Sequence, residues 1–236
     1  MSRPLDETVH TVRGLDVLRD VRAGRVPSAV ARRERLVALR LEAMDLVAAE
    51  HLLDVRASWR IVPLQGEPGA SGWLQVDGQR LQAPWLVPAS GQLTGVACAV
   101  ATIGSAIDRR SNELFAARKP SLGMALDGLA NELLFALSRR VLDRVLAQAL
   151  KAGLCVAGEL RAGDPGLELQ AQQVVLQLAG AAHIDVALTQ TMMMNPTKST
   201  SIVQGVGLGL PPQTWSRCDT CRSRDRCALV QDRAAA

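Results

Sequence analysis

Tyrosine is absent from this sequence, and two Phe and four Trp make up its whole aromatic content. Single-stranded nucleic acids are held by rings on which successive bases stack, so a chain this poor in rings offers no such platform. No signature of a nucleic-acid-reading fold is present either. Histidine is equally scarce. His10, His51 and His183 stand far apart with no ligand spacing, which reads as structural or surface residues and not as catalysts. There is no Gly-x-Ser-x-Gly elbow to present a nucleophile. The longest uncharged run, 86–107, is interrupted by Pro88, Ser90, Gln92, Thr94 and three glycines. A membrane span reads as about 20 nearly continuous apolar residues, so this run predicts a buried strand leading into a helix. The opening, MSRPLDETVH, lacks the basic-then-apolar pattern of a secretory leader. These absences predict a cytoplasmic, soluble protein that binds neither nucleic acid nor membrane.

What is abundant is aliphatic. Apolar residues are 48% of the 236, dominated by Leu, Ala and Val, which is ample for a hydrophobic core. The net charge of +4 is modest and resides largely in arginine-rich segments such as RRERLVALR (32–40), the pattern of a solvated helix face.

Along the chain, Ser28 after Pro27 predicts the cap of a helix over 29–51, with Val30, Val37, Leu41, Met44 and Leu52 near helical spacing. WRIVPL (59–64) predicts a strand. Asp77-Gly78 inside WLQVDGQRLQA (73–83) predicts a hairpin on a type I′ turn. GVACAVATIG predicts a buried strand ending at Gly104, followed by the helix SAIDRRSNELFAA. Ser121 after Pro120 predicts the cap of a long helix to Lys151, with Leu122, Leu126, Leu129, Leu133, Leu137 and Val141 near one face and Gly153 as its stop. A strand over 154–160, the turn GDPG (163–166), a helix over 167–181 and a strand over 183–190 follow. This mixed order of hairpin, long helices and separated strands predicts an α+β fold and not a doubly wound sheet.

Three segments carry candidate chemistry. Gly205-Val206-Gly207-Leu208-Gly209 has the density of a nucleotide loop, but a dinucleotide fingerprint opens a helix, and here Pro211-Pro212 follows at once. A glycine-rich strand closely approached by backbone or ligand is the reading that remains. Met192, Met193 and Met194 suit either core filling or an adaptable apolar surface. Cys218-x2-Cys221-x5-Cys227 lies among Arg217, Arg222, Arg224 and Arg226, whose positive field favours thiolate and hence a metal. Zinc would need a fourth ligand, a distant His, Cys98 or Cys155, whereas an iron–sulfur cluster uses a fourth protein ligand or leaves one iron open. The spacing is not that of radical-SAM enzymes.

MNPTKSTS (194–201) resembles the Met-x-Pro-x-x-Ser-x-Ser motif of the activation domain of cobalamin-dependent methionine synthase, with Met194, Pro196, Ser199 and Ser201 at its fixed positions. AVATIG followed by a helix, then ALDGLA and RRV within a long helix, are similar to that domain in order and spacing. The clearest resemblance spans 95–210, and small stand-alone members of the family show the same Pro-x-Lys-Ser near a glycine-rich segment. The resemblance implies a C-shaped α+β domain over 1–210, with a central twisted, largely antiparallel sheet flanked by long helices, and a Cys-rich tail over 211–236.

The resemblance also implies S-adenosylmethionine (SAM) as a cofactor and a cobalamin (corrinoid) carried by a partner, either a corrinoid-binding protein or a cobalamin-dependent methyltransferase. An electron donor such as flavodoxin or ferredoxin belongs to the same picture. In the family, oxidised Co(II) is reduced by one electron and trapped by methylation from SAM. The implied ligand residues are Arg161, Gly163, Asp164, Gly166, Met194, Pro196, Lys198, Ser199, Ser201 and Gly205; Cys218, Cys221 and Cys227, read from their own spacing, are the candidates for an iron–sulfur cluster or zinc. In the family an arginine precedes a Gly-Tyr-Pro segment. Here RAGDPGL offers Arg161, with Gly166 one position farther on and Leu167 in the tyrosine's place. The chain has no Asp-x-His-x-x-Gly signature for ligating cobalt, so it is not expected to be a complete methionine synthase. A docking or chaperone protein for a corrinoid domain, with a structural metal in its tail, is the alternative.

Overall fold

A computed structural model describes residues 5–26 and 34–211. Ser28 as a helix cap and the three cysteines 218, 221 and 227 lie outside the described residues. Nine strands and five helices run in the order β1 (His10–Arg13), α1 (Val17–Arg22), α2 (Glu34–Ala49), β2 (Arg56–Pro63), β3 (Trp73–Val76), β4 (Gln79–Gln82), β5 (Gln92–Thr102), α3 (Ala106–Ala116), α4 (Pro120–Lys151), β6 (Cys155–Leu160), α5 (Ala171–Leu178), β7 (Ala187–Leu188), β8 (Met194–Asn195) and β9 (Ser199–Leu208) among the described residues. Short 3₁₀ turns occupy 70–72, 84–86 and 181–184.

The main sheet is five-stranded, β1-β2-β5-β9-β6, and every neighbouring pair is antiparallel. The α+β expectation holds. Strand alternation assigns its two faces. Ala97, Ala99 and Ala101 of β5 and Ile202 of β9 join one apolar cluster with α2 and α4. Val96, Cys98 and Val100 of β5 and Val203 of β9 join the other, with α5 and the β3–β4 hairpin. The alanines on the first face let α4 lie close over the sheet. Covered on both sides, β5 reads as a continuous apolar run, which is why residues 86–107 are so poor in charge. Among the described residues no helix is long and apolar enough to cross a membrane.

The 32-residue α4 is the main brace of the fold. Leu126, Leu129, Leu133, Leu137 and Val141 are all buried, as their spacing predicts. Its start differs from expectation: Lys119 is the N-cap and Pro120 occupies the first turn, where its missing N–H costs nothing, so Ser121 is not the cap. The Asp77-Gly78 hairpin forms, with φ of +48° and +71° as a type I′ turn requires. Two other expectations shorten. The helix predicted over 167–181 is regular only from Ala171 to Leu178, because 163–167 closes into a turn and Gly180, at φ +68°, ends it. The strand predicted over 183–190 is a 3₁₀ turn followed by the two-residue β7. Asp185 breaks it with a left-handed φ of +55°, and its carboxylate accepts a hydrogen bond from Arg56.

Candidate functional site

β6 is an edge strand, and it carries Arg161 just beyond its end. Its pairing with β9 shifts register between Ala157 and Leu160, where Gly158 takes φ +70°. That bulge sets the aim of the residues after it. Leu160 is buried in the α5-side cluster, so alternation turns Glu159 and Arg161 to the α4 side. Arg161 Nη2 donates to Glu159 Oε1 at 3.0 Å, and Nη1 donates to Thr200 Oγ1 at 3.3 Å. The Arg161 side chain is 19% exposed. Its Nε is buried and has no hydrogen-bond partner among the described residues. A guanidinium held by two of its nitrogens and unsatisfied at a third is suited to a further anionic or carbonyl acceptor.

The turn after Arg161 is closed by its own backbone. Gly163 N donates to Leu167 O, Asp164 N to Arg161 O, and Leu167 N to Asp164 O, at 2.9, 2.8 and 3.0 Å. Asp164 Oδ2 also accepts from Arg161 N at 2.9 Å. This carboxylate therefore fixes the position of Arg161. Gly163 and Gly166 have φ of +94° and +83°, a conformation that disfavours any other residue. Around Gly163 there is open space, whereas Gly166 lies against Trp85.

The 194–201 segment divides by strand parity. Met194 is half-buried and packs on the α5-side cluster, Met193 is exposed, and Met192 takes φ +62° while its carbonyl accepts from Gln172 Nε2 at 2.8 Å. The three methionines thus do not share one surface. The Asn195–Pro196 peptide is cis, and Pro196 O accepts from Ser199 Oγ at 2.6 Å. Ser199 and Ser201 are buried and pair across the sheet with Thr102 and Val100. Thr200, between them, turns to the α4 side and meets Arg161. The motif serines shape the strand, and the residue they flank reaches the arginine.

Lys198 belongs to the same side. Its Nζ pairs with Asp127 Oδ1 at 2.7 Å and donates to Asn131 Oδ1 at 3.2 Å, both on α4. Its carbonyl accepts from Ile103 N at 3.1 Å and Thr102 Oγ1 at 3.2 Å, which ties the loop to the end of β5. Burial pushes the nearby Asp108 carboxyl above the usual range, the Lys198 charge draws it down and Asp127 raises it again. One half-buried strip between β6, the start of β9 and α4 therefore holds two cations, Arg161 and Lys198, beside the carboxylates of Glu159, Asp127 and Asp108.

Gly205 lies apart from this strip. It is five residues along β9 from Thr200, roughly 17 Å at strand rise. A Cβ on it would lie 2.9 Å from Leu93 Cδ1 and 3.3 Å from Ala157 O. A Cβ on Gly207 would lie 2.0 Å from Gln92 O. These glycines admit neighbouring protein, as the glycine-rich-strand reading expected.

Sequence reasoning did not single out Thr200, Glu159, Asp127 or Trp85. Alternation within STS was the available signal for Thr200, since inward serines put the threonine on the other face. Among the described residues no group of three metal-ligating side chains occurs. Of the two cysteines that could join the tail, Cys98 is fully buried, and burial pushes its thiol up to about 12. Cys155 is half-buried; its Sγ donates to Gly207 O at 3.2 Å and accepts from Leu210 N at 3.3 Å.

No family profile matches the chain, and no curated protein does. Solved structures do. A crystal structure described as the MetH reactivation domain bound to AdoHcy superposes with a TM-score of 0.65 at 15% sequence identity, covering 98% of this chain and 89% of that one. The two chains share a fold.

Proposed function

We propose that this chain binds SAM where Arg161 meets Thr200, and that it serves the reductive reactivation of a corrinoid carried by a separate protein. The observation that supports this reading is the Arg161–Thr200 hydrogen bond, which joins the RAGDPG turn to the NPTKSTS segment across 39 residues of sequence. The shared fold with a reactivation domain whose crystal structure contains AdoHcy supports it further.

The side chains suit such a ligand. The amino-acid end of SAM is a zwitterion, and this strip sets a guanidinium beside a carboxylate. Arg161, whose Nε has no partner among the described residues, takes the ligand carboxylate, and Glu159 faces the ammonium or sulfonium charge. Thr200 and Asp164 orient the arginine, and the Lys198–Asp127 pair holds the loop against α4. When bound, SAM supplies an electrophilic methyl group. The chain's task is to position that group against a partner's reduced cobalt and to keep competing oxidants away. On the same reading residues 1–210 are the ligand-binding unit and 211–236 a metal-binding tail. There Cys218, Cys221 and Cys227 hold an iron–sulfur cluster, zinc being the alternative, and flavodoxin or ferredoxin supplies the electron.

Calorimetric titration of SAM into wild type and Arg161→Ala tests the site. Losing a charge-assisted contact costs about 1.5–3 kcal/mol, roughly a ten- to hundred-fold loss of affinity. Equal affinity removes Arg161 from the site. No binding by wild type overturns the reading in favour of a docking protein. Mixing the protein anaerobically with candidate Co(II) corrinoid proteins, a low-potential reductant and SAM tests the partner. Methyl-Co(III) absorption is expected only with all components present.

A further inference from the structure

The bulge in β6 gives the strip one more polar group. β6 pairs Ala157 with Gly205 and Leu160 with Val203, so Gly158 and Glu159 together stand opposite the single residue Gln204. Ile202 and Val206, two residues to either side of Gln204 along β9, belong to the α4-side cluster, and so does Ala97, its partner on β5. Gln204 therefore turns to the α4 side, as Glu159 does. The two are cross-strand neighbours on one face, and Glu159 in turn pairs with Arg161 at 3.0 Å. Thr200, Arg161, Glu159 and Gln204 thus follow one another along the same side of the β6–β9 seam.

Gln204 is half-buried, and its Oε1 is buried with no hydrogen-bond partner among the described residues. Such an orphan is uncommon, because a buried carbonyl without a donor gives up its hydration and receives nothing in exchange. Packing does not require an amide here, since this face of β9 takes the aliphatic Ile202 and Val206 on either side. Beside the orphan stands Glu159, a second acceptor. Two neighbouring acceptors, one of them charged, suit a donor that brings several N–H groups and a positive charge, and an ammonium does both. Next to them is the Arg161 guanidinium, a donor to anions. Acceptors followed at once by a guanidinium match the polarity of an α-amino acid.

We propose that Gln204 is a specificity-determining residue whose amide carbonyl, together with the Glu159 carboxylate, accepts the α-ammonium group of a ligand whose carboxylate is held at Arg161. This rests on the SAM-binding reading above and adds to it the residue that distinguishes an α-amino acid from its deaminated counterpart. The bulge is what brings Glu159 and Gln204 to one place, because the extra residue, Gly158, returns Glu159 to the α4 side opposite Gln204.

Two ligands titrated by calorimetry into wild type, Gln204→Met and Gln204→Glu test this: S-adenosylhomocysteine and its analogue lacking only the α-amino group, S-adenosyl-4-mercaptobutanoate. Methionine keeps the length of the side chain and removes the acceptor. Gln204→Met is expected to weaken S-adenosylhomocysteine roughly ten-fold, the scale of one hydrogen bond to a charged group, and to leave the analogue within about two-fold. Gln204→Glu, which keeps an acceptor, should hold S-adenosylhomocysteine within about five-fold of wild type. Unchanged affinity in Gln204→Met, or an equal loss for both ligands, overturns the proposal and leaves the SAM reading standing. Should Gln204→Met fail to fold, Gln204→Ala is read in the same way. Equal affinity of wild type for the two ligands overturns the proposal without any variant. Absence of S-adenosylhomocysteine binding by wild type overturns both readings.

Discussion

Lys198 Nζ lies 2.7 Å from Asp127 Oδ1, with its side chain only 12% exposed, so one cation clamps the loop before β9 onto α4. The same charge acts on Asp108. Burial is the main influence raising that carboxyl, Lys198 opposes it, and Asp127 adds to it. Lys198→Met removes the opposing influence. The Asp108 carboxyl resonance, followed by ¹³C NMR, is expected to titrate at higher pH in the variant than in wild type. The linkage has a definite sign. With its pKa raised on folding, Asp108 takes up a proton more readily in the native state, so its contribution to stability falls as pH rises from 3.8 through the folded value. In Lys198→Met that decline extends to higher pH. An unchanged titration would remove Lys198 from the surroundings of Asp108.

Asp20 has the opposite sign. It is buried, accepts from Arg140 Nε and Nη2 at 2.6 and 2.7 Å, and accepts from Arg25 Nη1 at 2.9 Å. The Arg140 hydrogen bonds, ahead of the adverse effect of burial, hold its carboxyl below the usual range. Its stabilising contribution is present above 3.8 and lost as pH falls through the lower folded value. Asp20→Asn is expected to cost about 1–2 kcal/mol near neutral pH, the low end for a charged hydrogen-bonded group because both arginines reach solvent. It should also flatten the acid limb of a urea-midpoint profile. A wild-type acid limb in the variant would contradict this.

Two glycines should respond oppositely to alanine. Gly128, on the exposed face of α4, has open space around a Cβ and no positive φ. Gly128→Ala is expected to stabilise by about 0.5–1 kcal/mol through helix propensity. Gly207→Ala would place its methyl 2.0 Å from Gln92 O, a backbone atom of the central strand. A loss of about 3 kcal/mol or more is expected, at the upper end of overpacking costs. Denaturant midpoints decide both, and a tolerated Gly207→Ala would mean that β5 and β9 pair less closely than described.

The tail is checked by chemistry. After anaerobic purification, stoichiometric iron and sulfide lost in Cys221→Ser are the expected result for Cys218, Cys221 and Cys227. Zinc without sulfide would replace the cluster with the alternative, and no metal at all would refute a metal-binding tail. Cys98→Ser should leave metal content unchanged, because that thiol is fully buried and held protonated well above neutrality.

Local patterns account for much of this protein. The leucine spacing of α4, the Asp77-Gly78 turn and the uncharged run of β5 are short-range signals, and each became the element it predicts, because helix periodicity, turn dihedrals and two-sided burial act on adjacent residues. The methionine-proline-serine motif lies on the stretch whose Thr200 meets Arg161. Tertiary structure alone decided which residues of that stretch face which way. Ser199 and Ser201 turn to the α5 side and Thr200 to the α4 side, where it meets Arg161, because β9 lies between β5 and β6 in one particular register, and a one-residue slip would exchange them. Asp127 joins Lys198 from 71 positions earlier in the sequence, and Trp85 reaches Gly166 from 81 earlier. Such contacts are set by which strands pair and where the long helix crosses them. Those are properties of distant segments meeting, and no window of local sequence contains them.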